Sequence, residues 1–148
     1  KTLHNDSSGT TTIKDGMDMA ICSLNLTTNV LQFAGAFNPL YLVRDNNMEE
    51  IKGDKFPIGA GFAQNPEFTN NVIQLKEGDC IYLFSDGYAD QFGGPKGKKF
   101  KYSRFKEVLV EINDKAMAEQ HDILNRMIEE WQGDLEQIDD VCVIGIRP

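Results

Sequence analysis

Apolar residues follow two different periods in this chain, and the change between them constrains the fold more than any other feature. Between residues 17 and 84 apolar and polar residues tend to alternate, which is typical of strands. After residue 102 apolar residues recur at helical spacing, and residues 141–146 form one last strand-like run. Strands, then helices, then a returning strand predict an α+β fold with a mostly antiparallel sheet.

Turn-forming residues divide the first part of the chain into short strands that would pair as successive hairpins, a meander. The predicted strands are residues 17–26, 30–37, 40–44, 48–52, 68–75 and 80–84. Strand 80–84 is nearly all apolar and is expected to be buried on both faces. Two helices follow: one with Ser103 as its N-cap, and one over residues 115–131 with Gly133 as its C-cap. The last strand must pair with a strand far back in the sequence.

Size and charge restrict the function classes. The chain has 148 residues, and we divide it into a polar lead-in, residues 1–16, and one domain, residues 17–148. Its net charge of −8 argues against a nucleic-acid partner and against contact with an anionic membrane. No apolar run reaches the roughly 20 residues that a membrane span needs.

Cysteine and histidine spacing gives no sign of a disulfide framework or a zinc site. Cys22, Cys80 and Cys142 lie in apolar runs, and we expect them to be buried, reduced thiols in a cytoplasmic protein. His4 and His121 have no partner at ligand spacing, and we expect both at the surface.

Carboxylates occur at the ends of two predicted strands. Asp86 follows the buried strand 80–84, and Gly87 after it lets the backbone turn. Asp139 and Asp140 directly precede the last strand. If the two strands are neighbours, the three carboxylates converge into a site suited to Mg²⁺ or Mn²⁺. The alternative is an ordinary Asp-Gly turn and a solvated strand edge. Asp90 is likewise either a metal ligand or a turn residue.

A dense basic patch follows Asp86. It includes Lys96, Lys98 and Lys99 in the segment GGPKGKK, which lacks the spacing of a Walker A loop. Beside a carboxylate site, this patch is a candidate approach surface for a phosphorylated or acidic partner. The alternative is a mobile, solvated loop.

Five segments of this chain, in their order, resemble a known family. They are DGMDMAICSLNL, LQFAGAFNPLYLVR, GDKFPIG, LKEGDCIYLFSDGYADQFGG and DLEQIDDVCVIGIRP. Together they are similar to the C-terminal part of the SpoIIE-type serine/threonine phosphatase domain of the protein phosphatase 2C (PPM) superfamily. The combination of LFSDG with a terminal Asp-Asp strand is the most specific part of the match.

The resemblance implies a β-sandwich flanked by helices and two Mn²⁺ or Mg²⁺ ions. It implies hydrolysis of phosphoserine or phosphothreonine in a bacterial, cytoplasmic signalling protein, by direct attack of water and without a phosphoenzyme. The implied catalytic residues and metal ligands are Asp86 and Asp139, with Gly87 and Asp140 as further ligands. Many relatives have Asn at the position of Asp140. The implied partner is a phosphorylated protein, in many members of the family an anti-sigma-factor antagonist.

One family motif is not found in this sequence. The family carries an Asp-x-x-Gly-His-Gly type motif whose Asp binds both metals, but His4 and His121 are followed by other residues. We therefore expect the first strands and helices of the domain to be missing. The chain would then have little or no activity, and its open sheet edges would favour self-association.

The sequence leaves two alternatives to the enzyme open. The chain is either part of an enzyme or a non-catalytic, phosphatase-like interaction module, and an upstream Asp-x-x-Gly-His-Gly motif would decide between them. A third interpretation is a β-sandwich that binds a small molecule beneath the Gly-rich loop at residues 53–61.

Overall fold

The computed structural model describes residues 16–59 and 67–148, which form nine strands and three helices. The strands are β1 (Met19–Asn25), β2 (Val30–Ala36), β3 (Leu40–Arg44), β4 (Asn47–Ile51), β5 (Asn71–Gln74), β6 (Cys80–Phe84), β7 (Phe92–Gly93), β8 (Lys98–Lys99) and β9 (Val143–Ile146). The helices are α1 (Gly87–Asp90), α2 (Tyr102–Glu111) and α3 (Met117–Gln132). Nearly all of the predicted lead-in and part of the Gly-rich loop lie outside the described residues.

Two antiparallel sheets pack as a sandwich. One has the strand order β1-β2-β5 and the other β4-β3-β6-β9, while β7 and β8 form a separate hairpin. The predicted α+β class with antiparallel sheets flanked by helices is confirmed. The hairpins β1–β2 and β3–β4 form as predicted, but the continuous meander is wrong, because β2 and β3 belong to different sheets. The chain changes sheets at residues 37–39, where Phe37 has a φ of 60° and Pro39 follows.

Alternation along β3 divides the core into two layers. Leu40 and Leu42 pack between the two sheets, together with Leu31 and Phe33 of β2. The intervening Tyr41 and Val43 face the helices, where Phe105 and Leu109 of α2 and Leu124 and Ile128 of α3 cover the second sheet. Burial of both sets of side chains is the main force that holds strands and helices together.

Strand β6 lies at the centre of this arrangement, as its apolar sequence predicts. Four of its five residues are buried, and it pairs with β3 on one side and β9 on the other. Below it, the Tyr82 hydroxyl donates a 2.7 Å hydrogen bond to the Gln120 side chain of α3. The long-range pairing expected for the last strand is therefore confirmed.

Three local predictions need correction. Ser103 is not an N-cap, because α2 begins at Tyr102 and no side chain caps it. Cys142 is exposed rather than buried, because it precedes β9 at the surface, and Cys22 is only half-buried, while Cys80 is buried as predicted. Gly133 does end α3, with a φ of 56°. His121 is exposed as expected, and His4 lies outside the described residues. None of the described helices is both long and apolar enough to cross a bilayer.

Candidate functional site

Asp86 lies at the exposed end of β6, where the chain enters the short helix α1. Its carbonyl accepts a 2.9 Å hydrogen bond from the Asp90 backbone N–H, which closes the first turn of that helix. Because β6 is buried on both sides, the backbone of Asp86 is held firmly while its carboxylate faces solvent. This is the placement that the sequence predicts for a ligand at the end of a buried strand.

Ser85 joins this strand end to the segment that precedes β9. Its hydroxyl donates a 2.6 Å hydrogen bond to the carbonyl of Asp140 and accepts one of 2.9 Å from the N–H of Cys142. The Ser85 N–H also donates to the Cys142 carbonyl at 3.0 Å. The backbones that carry Asp86 and Asp140 are thus brought together. Sequence reasoning missed Ser85, although its place between a buried strand and an Asp-Gly pair was a usable signal.

Glycine is required at position 87 because the backbone of Asp140 approaches it closely, and not because the chain turns there. Its backbone lies in α1 without the positive φ that glycine favours, so the predicted turn is not the reason for its presence. A Cβ atom on Gly87 would lie 2.4 Å from the carbonyl oxygen of Asp140 and 2.9 Å from its carbonyl carbon. Only a residue without a side chain lets these two backbone segments touch.

Asp139 and Asp140 are both exposed beside this contact. The Asp139 carboxylate accepts a 2.8 Å hydrogen bond from the Asp140 N–H, and the Asp139 carbonyl accepts one from the Gln137 side chain. Within residues 16–59 and 67–148, no three acidic, histidine or cysteine side chains are arranged to hold a metal ion. The side chains of Asp86, Asp139 and Asp140 offer only oxygen ligands, a type that suits Mg²⁺ or Mn²⁺. The assignment of Asp86, Gly87, Asp139 and Asp140 as metal ligands stays a prediction.

The predicted basic patch lies on the β7–β8 hairpin. Lys99 forms a 2.8 Å ion pair with Asp90, so these two charges neutralise each other in part. Lys96 and Lys98 are exposed near the tip. The hairpin is packed rather than loose, because the Gly94 N–H donates a 2.7 Å hydrogen bond to the carbonyl of Trp131. A role of the three lysines in approaching a partner stays a prediction.

A groove of about 630 Å³ opens directly beside Asp86, and we call it the Asp86 groove. Its lining comes from the β2–β3 connection, the start of the Gly-rich loop, the ends of β4 and β6, and α2. The lining residues are Asp18, Phe37, Asn38, Pro39, Tyr41, Glu50, Lys52, Gly53, Lys55, Phe84, Asp86, Tyr102 and Lys106. The lysines of the β7–β8 hairpin are not among them.

Charges in the Asp86 groove are only partly paired. Lys106 forms a 2.8 Å ion pair with Glu50, whereas Lys52 and Lys55 have no ion pair within the described part of the chain. Burial, and then the nearby carboxylates of Asp86 and Asp90, raise the pKa of Tyr102 above its usual value. Sequence reasoning missed these lysines, because Lys106 is distant in sequence from Lys52 and Lys55 and the three form no motif.

Comparison with known families and structures gives a consistent result. Residues 2–148 match the sequence model of the family Stage II sporulation protein E (SpoIIE). No curated protein matches the chain. The fold is similar to the SiaA-PP2C domain of Pseudomonas aeruginosa, with a TM-score of 0.80 and 30% identity over 88% of this chain and 51% of that one.

Two more distant structures share the fold. The phosphatase domain of the cell fate determinant SpoIIE from Bacillus subtilis has a TM-score of 0.65 and 17% identity, covering 88% of this chain and 57% of its own. The RsbU and RsbW domains of Rv1364c from Mycobacterium tuberculosis match with a TM-score of 0.65 and 22% identity over 88% and 35%. The chain spans about half the length of the first two structures that it matches.

Proposed function

The chain belongs to the SpoIIE family, and from this premise we propose that it forms the Asp86-containing part of a metal-dependent protein serine/threonine phosphatase. The observation that carries the proposal is the contact of Ser85 and Gly87 with the backbone of Asp140: a hydrogen bond from the Ser85 hydroxyl and the close approach of Gly87. It holds the end of β6 against the segment before β9, and these two segments carry the carboxylates that the family resemblance implicates.

In this proposal Asp86, the Gly87 carbonyl, Asp139 and Asp140 supply oxygen ligands to Mn²⁺ or Mg²⁺. When bound, such ions neutralise phosphate charge and activate a water for attack on phosphorus. The chain's own residues position these groups. The Ser85 hydroxyl fixes the Asp140 carbonyl, and the absence of a side chain at Gly87 permits the contact. Asp90 is left out of the ligand set, because Lys99 engages its carboxylate.

We further propose that these 148 residues alone have little or no activity. They contain no Gly-His-Gly sequence, and the family resemblance assigns a shared metal ligand to that motif. Because bound metals supply most of the charge stabilisation in such reactions, losing one shared carboxylate would remove several kcal/mol of it. A non-catalytic interaction module is the second candidate, favoured by the lack of a three-carboxylate cluster in the described residues.

The substrate in this proposal is a phosphorylated protein of a bacterial signalling system, such as an anti-sigma-factor antagonist. The premise is the family, since fold alone does not assign a substrate. A cytoplasmic setting agrees with Cys22, Cys80 and Cys142, which carry free thiols.

Replacement of Asp86 by Asn tests the metal site directly. We expect the chain to bind Mn²⁺ weakly in calorimetric titration and Asp86→Asn to bind at least about tenfold more weakly, because a charged oxygen ligand is lost. Asp90→Asn is the matched control and should leave the affinity unchanged. Equal affinity in the chain and in Asp86→Asn would contradict the proposed site.

Hydrolysis of p-nitrophenyl phosphate in Mn²⁺ extends this test to activity. We expect no hydrolysis above background from the chain or from Asp86→Asn. Hydrolysis that requires Mn²⁺ and disappears in Asp86→Asn would support the phosphatase assignment, and would show that the Gly-His-Gly motif is dispensable. Mn²⁺-dependent hydrolysis that survives in Asp86→Asn would contradict the role of Asp86.

We also propose that the chain self-associates through its three-stranded sheet. Ile21 and Val72 lie on the same outer face of that sheet and are 60% and 65% exposed. Such apolar surface and unpaired strand edges favour contact between copies. Sedimentation velocity should show concentration-dependent dimers that are lost in the double variant Ile21→Lys/Val72→Lys. Leu135→Lys, at an exposed apolar residue away from the sheets, should still dimerise. Monomers at all concentrations would refute the proposal.

A further inference from the structure

Phe37 has an unusual backbone for its residue type. Its φ is 60°, in the left-handed region that bulky side chains rarely adopt, and its side chain is 48% exposed. The other non-glycine residues with positive φ in the described chain are Asn29, Asp45 and Asn46, whose types tolerate this region, and Lys101, directly before α2. An exposed aromatic ring gains little from burial that would offset such strain, so strain of this kind often indicates a functional contact.

The surrounding backbone holds Phe37 in this conformation. Its N–H donates a 2.8 Å hydrogen bond to the carbonyl of Asp54. The backbone around Phe37 is also closely packed. A Cβ on Gly35 or Gly53 would lie 2.3 Å or 2.7 Å from the carbonyl oxygen of Asn38. The ring is therefore presented by a fixed loop, and it lines the Asp86 groove.

The same groove offers cations to an acidic ligand. Lys52 and Lys55 line it without an ion pair in the described residues. Of its three acidic lining residues, Glu50 pairs with Lys106 and Asp86 would be neutralised by the proposed metal, which leaves Asp18 against the two lysines. The ring of Tyr102, which is 39% exposed, lines the groove as well. Apolar rings and two unpaired lysines beside Asp86 are complementary to an extended segment that carries both an apolar side chain and carboxylates.

We propose that the Asp86 groove binds the acidic segment that flanks the phosphorylated residue of the substrate protein. In this arrangement Phe37 contacts an apolar side chain next to the phosphorylated residue, and Lys52 and Lys55 pair with carboxylates further along. The proposal rests on the proposed phosphatase function and adds to it the class of sequence that the site accepts.

Fluorescence anisotropy with labelled peptides tests the proposal on the chain as it is, in Mn²⁺. The probes are a phosphothreonine peptide with a flanking leucine and glutamates, and its unphosphorylated form. We expect Lys52→Glu/Lys55→Glu to weaken binding of both peptides about tenfold or more, and most strongly at low salt. Lys115→Glu/Arg126→Glu, the same charge change on and before α3, is the control and should bind like the unmodified chain.

Phe37→Asn separates a binding role from a structural one. Asn tolerates a positive φ, so this variant should melt at the same or a higher temperature, yet bind both peptides several-fold more weakly. A lower melting temperature with unchanged binding would assign Phe37 to the fold alone. Unchanged binding in Phe37→Asn and in the lysine double variant, or no binding by the unmodified chain, would overturn the proposal.

Asp86→Asn distinguishes this proposal from the one on which it rests. It should abolish the extra affinity that Mn²⁺ gives the phosphorylated peptide. If Mn²⁺ adds nothing in the unmodified chain, the phosphatase proposal fails while groove binding stands. If Lys96→Glu/Lys98→Glu weakens binding and the groove variants do not, the hairpin is the docking surface and the groove proposal is wrong.

Discussion

Gly87→Ala is expected to destabilise the chain by about 3 kcal/mol and to abolish measurable Mn²⁺ binding. The added methyl group would lie 2.4 Å from the Asp140 carbonyl oxygen and 2.9 Å from its carbon. Both atoms belong to the backbone, so no side chain can rotate away to make room. The segment before β9 must move, and the hydrogen bond between Ser85 and the Asp140 carbonyl must lengthen or break.

Urea unfolding and calorimetric titration with Mn²⁺ check this result. Gly97→Ala is the matched control, because its Cβ would meet no atom within 4 Å and the only cost comes from a φ of 55°. It should cost about 1 kcal/mol and leave Mn²⁺ binding unchanged. Gly87→Ala with the stability and affinity of the unmodified chain would show that the contact with Asp140 positions nothing.

The pairing that creates this contact could be predicted from the sequence. The apolar run at residues 80–84 lacks polar alternation, so it had to be covered on both faces, and the last strand needed a partner far back in the chain. The structure pairs β6 with β9, with Phe84 opposite Val143. Since strand ends that face one another bring their flanking residues together, Asp86 and Asp140 follow from that pairing.

The division into two sheets could not be predicted in the same way. Strands β2 and β3 are separated by only three residues, and a short turn there is compatible with a hairpin. Their separation depends on where Leu31, Leu40 and Leu42 find partners, which is decided by packing between the sheets. Alternation shows that one face is buried but not which layer buries it.

The Asp86 groove is beyond sequence reasoning for a related reason. Lys52 and Lys55 lie in the β4–β5 connection and Lys106 lies in α2, and each has the spacing of an ordinary surface residue. Lys96, Lys98 and Lys99 are close together in sequence and therefore attract attention. Lysines that are close in sequence show only that the local charge is high. The Asp86 groove is formed by tertiary contacts that bring residues together from distant parts of the sequence.

Asp79→Asn is expected to destabilise the chain by about 3 kcal/mol at neutral pH, with no direct effect on the candidate site. The Asp79 carboxylate is buried and accepts hydrogen bonds from Arg44 Nε at 2.9 Å, Arg44 Nη2 at 2.5 Å and the Lys76 N–H at 2.8 Å. The Arg44 guanidinium also donates to the Gln74 carbonyl. One carboxylate thus joins the end of β3 to the turn before β6, and Asn leaves the half-buried guanidinium without its counter-charge.

The pH dependence of stability provides an independent check. Burial opposes ionisation of Asp79, but the Arg44 and Lys76 hydrogen bonds outweigh it and hold the pKa of Asp79 below its usual value. Because the folded pKa is lower than the unfolded one, the stabilisation is complete above about pH 4 and is lost as the pH falls through the folded pKa. Urea unfolding between pH 7 and about pH 2.5 should show this loss in the unmodified chain and a smaller one in Asp79→Asn.

Glu50→Gln is the control for the buried ion pair. Glu50 and Lys106 also form a 2.8 Å pair, but their side chains are 32% and 30% exposed, so solvent weakens the attraction. Loss of the Glu50–Lys106 ion pair should lower the free energy of unfolding by less than about 1 kcal/mol. Equal costs for Asp79→Asn and Glu50→Gln would mean that burial adds nothing to the Arg44 pair. A larger cost for Asp79→Asn, falling as the pH is lowered, would identify the buried pair as the interaction that fixes β3 against β6.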